Sequence, residues 1–116
     1  MLKTLFTLGW LGDFNKLRKA AKKNILLKYL YNLYIEKHQS YIPLYVDLSD
    51  DIWFPHLTGI HIAGATHVGY GCTIYQHVTL GSNYLEGTKH PGAPTIGNNV
   101  LIGAGARIVG GGKDRR

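Results

Sequence analysis

After Ser40 the chain falls into blocks of six residues, and this period constrains the fold more than any other feature. In register it reads IPLYVD, LSDDIW, FPHLTG, a two-residue slip IH, IAGATH, VGYGCT, IYQHVT, LGSNYL, a loop, then IGNNVL, IGAGAR and IVGGGK. The leading residues are Ile42, Leu48, Phe54, Ile60 or Ile62, Val68, Ile74, Leu80, Ile96, Ile102 and Ile108. Glycine or another small residue often follows the lead, and a small or branched one stands four places after it at Thr66, Cys72, Val78, Val100 and Ala106. A helix cannot use this period with glycine so dense, since each interior glycine costs about 1 kcal/mol relative to alanine. An antiparallel sheet would instead show hairpin turns between alternating arms. The pattern predicts a parallel β-helix: short strand, tight corner, short strand, with three hexads closing one triangular coil. The leads stack inward, and glycines take corners that need positive φ or close approach.

The rhythm breaks twice. Sixteen positions separate Leu80 from Ile96 where the repeat needs six, so SNYLEGTKHPGAPT (82–95) must leave the wall as an external loop carrying Lys89, His90 and Pro91. The second break is the slip at Ile60 and His61, which follows FPHLTGI and puts His56 at a corner rather than in the core. Each interruption stands beside a histidine, and together they mark a candidate site.

The N-terminal residues follow another period. From Asp13 to about His38 no Pro or Gly occurs, and Leu17, Ala20, Ala21, Ile25, Leu26, Leu30, Leu33 and Tyr34 recur at helical steps. This predicts an amphipathic helix with Asp13 as N-cap, its apolar face packed on the following domain or a sister subunit. Residues 1–40 hold eight Lys/Arg against Asp13 and Glu36, so this segment alone carries the whole net charge of +6. A solvated basic face is the first reading of that charge, and contact with a membrane surface the second. Nucleic acid is set aside, because no basic and aromatic recognition module follows.

At 116 residues the chain divides into a basic helical segment (1–40), a β-helix domain (41–112) with external loop 82–95, and a charged tail (113–116). The single Cys72 excludes an intrachain disulfide and a CxxC metal knuckle, which suits a reducing, cytoplasmic setting. The apolar start is short and broken by Gly9 and Gly12, unlike a signal peptide, and nothing approaches the roughly 20 apolar residues of a membrane span.

HLTGI (56–60), IYQHVTLG (74–81) and KHPGAPTIGNNVLIGAGARIVG (89–110) resemble the serine O-acetyltransferase branch of the hexapeptide acyltransferases. The typical run there is HxTGI, a VTLG segment, a loop with histidine before proline, and IGxGVxIGAGAxI. The resemblance implies a mainly β protein built on a left-handed β-helix, a homotrimer or dimer of trimers, with acetyl-CoA in a cleft between adjacent subunits. By position His56 matches the general base and His90 the second active-site histidine, while Gly103 and Ala104 match backbone that contacts the pantetheine arm. The chemistry agrees, since a neutral imidazole can accept a hydroxyl proton as the oxygen attacks a thioester carbonyl. Backbone N–H groups or a second histidine would steady the oxyanion. Cys72, at an inward position, reads as a buried core residue and not as an acyl-enzyme nucleophile.

The chain departs from the pattern where the amino acid would bind. An aspartate normally precedes the base histidine and another opens the hexad that begins at Ile42, but here Pro55 and Tyr41 stand there, and Asp47, Asp50 and Asp51 fall out of register. The Pro-His form resembles relatives from capsule or exopolysaccharide synthesis, so the acceptor implied is a hydroxyl of L-serine or of a saccharide. Tyr45, Trp53 and Tyr70 would suit stacking on a sugar, or ordinary packing. His61 and His67 are expected to point outward, and His77 to face a neighbouring subunit. His56, His61 and His90 resemble in type the three-histidine zinc site of γ-class carbonic anhydrases, but the order of spacings differs, and no metal is expected. A second reading takes the chain as a non-catalytic fragment or oligomerisation module, since family members usually continue for one or two coils where GGGKDRR stands.

Overall fold

The computed structural model describes residues 14–84, 87 and 91–111. Two helices, α1 (Phe14–Ala21) and α2 (Ile25–Lys37), precede eight short strands: β1 (Asp47–Leu48), β2 (His61–Ile62), β3 (His67–Val68), β4 (Thr73–Ile74), β5 (Thr79–Gly81), β6 (Thr95–Ile96), β7 (Leu101–Ile102) and β8 (Arg107–Val109). All pairings between these strands are parallel and form three faces, β1-β3-β6, β2-β5-β8 and β4-β7. Isolated parallel bridges extend two of them, Tyr41 to His61 and Trp53 to Thr73.

The pairing register measures the coil. His61 pairs with Thr79, 18 residues on, which is three hexads. Across the slip Asp47 pairs with His67, 20 residues on, and across the loop His67 pairs with Thr95, 28 on. Two and ten residues are therefore extruded at the breaks without disturbing the wall.

Each strand alternates one outward residue with an inward lead, and Ile42, Leu48, Ile62, Val68, Ile74, Leu80, Ile96 and Ile102 are buried. The two candidates at the slip are both internal. Ile62 is the lead, paired with Leu80, while Ile60 takes the inward corner position that Val46, Ile52, Thr66, Cys72 and Val78 take elsewhere.

The helices cap the open end of the first coil. Buried Arg18 donates from Nε to Leu44 O (3.3 Å), from Nη1 to Leu48 O (3.2 Å) and from Nη2 to Val46 O. Tyr31 Oη donates to Ile42 O (2.7 Å) and Asn15 Nδ2 to Ile52 O (2.7 Å). These donors supply side-chain partners to first-coil carbonyls at the capped end. Burial lowers the Arg18 pKa, with Tyr31, Asp50 and Asp47 acting the other way. Phe14 seals the seam edge-on against Phe54, centroids 4.8 Å apart.

The single amphipathic helix predicted from Asp13 to His38 is instead two helices. Asn24 is extended (φ −143°) and its side chain accepts from Leu26 N (2.8 Å) and Leu27 N (3.1 Å), so the chain turns and restarts there. Asn24 is thus the cap observed, whereas Asp13 lies outside the described residues. The predicted burying face also shifts: Tyr31 and Ile35 are buried, and Ile25, Leu26, Leu30 and Leu33 are exposed. The tail 113–116 lies outside the described residues.

Candidate active site

The triangular coil has three edges, and the edge leading from the β4-β7 face to the β2-β5-β8 face collects most of the predicted site. It is built from residues 55–60, 75–78 and 103–106 in successive coils. Gly59 (φ 64°), His77 (φ 60°) and Gly105 (φ 79°) stack there in the left-handed conformation that turns the corner. His77 N donates to Thr58 O (2.9 Å) and Gly105 N to Gln76 O (3.1 Å), tying the corners together. The imidazole of His77 lies against Gly59, where an added Cβ would sit 2.4 Å from Nδ1.

His56 occupies the widest of these corners, the one with the two extra residues. Pro55 restricts the backbone before it, buried Leu57 anchors it, and Thr58 N donates back to His56 O (2.9 Å). Gly59 N reaches His38 O (3.1 Å), which fastens the corner to the end of α2. The His56 side chain is exposed, available to a molecule lying along the edge.

Gly103 and Ala104 lie on the same edge two coils further on, about 10 Å along the axis given a strand spacing of about 4.8 Å. Both are exposed, and nothing lies within 4 Å of where a Gly103 Cβ would stand, so the backbone can be approached closely. A cleft of ≈ 270 Å³ opens between the two helices and the first coil, lined by Phe14, Asn15, Tyr34, Ile52, Trp53, Phe54 and Leu57 but not by His56.

The loop leaves from a different edge, at the far side of the β2-β5-β8 face. Asn83 and Gly92 close its stem as an antiparallel pair (2.9 and 2.8 Å). Gly111 supports the returning strand, since a Cβ there would lie 2.7 Å from Pro91 O. His90 and Lys89 lie outside the described residues. One chain therefore brings His56, Gly103 and Ala104 to one edge and roots the loop on another.

The remaining polar residues are engaged elsewhere. Asp47 pairs with His67 Nδ1 (2.5 Å) on the β1-β3-β6 face. Asp51 accepts from Gly71 N (3.0 Å to each oxygen) and Ser49 Oγ (2.8 Å), and these bonds, the Gly71 one foremost, lower its pKa. His61 and His67 point outward, and His77 is exposed although its ring packs on Gly59. Cys72 is buried with Sγ donating to Gly97 O (3.1 Å). Tyr45, Trp53 and Tyr70 are exposed but lie on different parts of the prism, so they form no common stacking surface. Among the described residues no group of three His, Cys, Asp or Glu gathers to hold a metal ion.

The contact of His77 with Gly59 follows from the coil register: residues 59, 77 and 105 are spaced by the same 18 and 28 residues as the strands.

No family model matches the chain. The serine acetyltransferase of Mycobacterium tuberculosis is 42% identical over 59 residues, covering 51% of this chain and 25% of the relative. That of Helicobacter pylori is 40% identical over 60 residues, covering 51% and 33%. Among solved structures, serine acetyltransferase isoform 3 of Entamoeba histolytica in complex with cysteine superposes with a TM-score of 0.61 at 29% identity, over 74% of this chain and 30% of that one. The coil accordingly has the left-handed parallel β-helix fold. The chain spans about a quarter to a third of the length of these relatives.

Proposed function

We propose, from a repeat wall of the hexapeptide-repeat acyltransferase family, that this chain works as an acetyl-CoA-dependent O-acetyltransferase of the serine O-acetyltransferase type. The observation that carries this reading is the shared edge on which exposed His56 stands two coils from the open backbone of Gly103 and Ala104. An extended pantetheine arm lying along that edge would bring its thioester toward His56.

His56 accepts the proton of the acceptor hydroxyl as the oxygen attacks the acetyl carbonyl. The tetrahedral intermediate collapses by breaking the C–S bond, and the imidazolium returns its proton to the departing thiolate of CoA. No acyl-enzyme forms, in keeping with the buried Cys72. His90 serves as the second active-site histidine and steadies the developing oxyanion. The stem of its loop, Asn83 and Gly92, is rooted on another edge than His56, which supports a homotrimer in which neighbouring subunits complete the site.

The acceptor is a small molecule with a free hydroxyl, either L-serine or a saccharide. Pro55 and Tyr41 supply no carboxylate, Asp47 and Asp51 are bonded elsewhere, and Asp50 acts on Arg18 and Lys22 from another edge, so an anchor for an α-ammonium group is missing at the positions that flank His56. This favours the saccharide. Incubation with acetyl-CoA and each acceptor class, followed by titration of free CoA thiol, tests the proposal. Acceptor-dependent release is expected, and no release with any hydroxyl acceptor would overturn it.

A further inference from the structure

Helix α2 carries a polar stripe of Lys28, Asn32 and Glu36, yet its remaining circumference is apolar and part of that is open. Tyr31 and Ile35 are buried against α1 and the first coil. On the opposite side Ile25 is 83% exposed, Leu26 67%, Tyr29 70% and Leu33 56%. Large apolar side chains gathered in one exposed patch mark a surface that is normally covered. Leu30 and Leu33 continue this stripe into a groove shared with Leu17, Tyr34 and Lys37.

The charge around the stripe identifies the cover. Lys16, Lys19, Lys22, Lys23, Lys28 and Lys37 are exposed on the two helices and their connection, where Glu36 is the one acid among the described residues; Asp50 and Asp47 of the first coil act on Lys22, and Lys28 Nζ lies over the Tyr45 ring. A second copy of this face would bring two such sets of lysines together, with no acidic patch to answer them. A polynucleotide would meet the lysines but leave the leucines in water. An anionic bilayer answers both features: acyl chains receive the apolar stripe while lysine stems lie along it and their ammonium groups reach headgroup phosphates.

We infer that the open face of α2, framed by the α1 lysines, is a docking surface for an anionic membrane and holds the β-helix at its surface. No described helix is long and apolar enough to cross the bilayer, so the contact is interfacial. The inference is independent of the transferase reading, and its readout needs no turnover.

The test is co-sedimentation of the full chain with phosphatidylcholine vesicles, with and without phosphatidylglycerol. Binding to the anionic vesicles is expected to be at least about tenfold tighter and to weaken as salt is raised. Leu26→Glu with Leu33→Glu should abolish it, and Lys19→Glu with Lys23→Glu should reduce it to the level of neutral vesicles. Melting accompanies both, and if the leucine pair unfolds the chain, the lysine pair carries the test. Failure to sediment with anionic vesicles would overturn the inference, as would binding that folded forms of both variants retain. So would a solution dimer broken by the leucine variant, or preference for an RNA homopolymer over the vesicles.

Discussion

At the scale of single residues, the edge depends on two special positions. Gly59 combines positive φ with an imidazole against its Cα, so Gly59→Ala should destabilise the fold by about 1–3 kcal/mol. The double variant with His77→Gly, which removes the ring and suits φ 60°, should recover most of the loss in urea unfolding. Asp51 makes a different prediction. Its pKa is lowered in the folded chain, so its stabilising contribution is present above the ordinary carboxylate pKa and is lost as pH falls through the depressed value. Asp51→Asn should lower the thermal midpoint at neutral pH and flatten its decline in acid. His56 itself was legible in HLTGI and in the slip beside it. The packing of His77 on Gly59 was not, because it follows from stacking corners of different coils and not from neighbours in sequence.

At the scale of elements, the hexads mark the strand positions because the inward leads recur, with Phe54 and Ile108 alone partly buried among them, and the ambiguity at Ile60 and Ile62 dissolves once both are seen to face inward. The helical segment was less legible. Its period runs unbroken through Lys22, Lys23 and Asn24, and only the Asn24 cap with the docking of Tyr31 and Arg18 on the first coil decides where it bends and which side is buried. Arg18 is the centre of that docking. Arg18→Met should cost about 3 kcal/mol, because buried carbonyls of Leu44, Val46 and Leu48 lose charge-assisted donors. Chemical denaturation should show the loss, with helicity by circular dichroism falling before the coil unfolds.

At the scale of the whole molecule, the β-helix sets the candidate site and the external loop on different edges. One edge carries His56 and the Gly103-Ala104 backbone, another carries the loop, and the capping helices present a basic apolar surface of their own. The edges could be read from sequence only as far as the repeat could be counted, and His90 lies outside the described residues. We propose His56 as the base for acetyl transfer along this edge. The most direct test is CoA thiol release from acetyl-CoA with a hydroxyl acceptor, comparing the intact chain with His56→Ala at equal thermal stability. A fall in kcat/KM of about 10²–10⁴-fold is the predicted result, and unchanged turnover in the folded variant would contradict it.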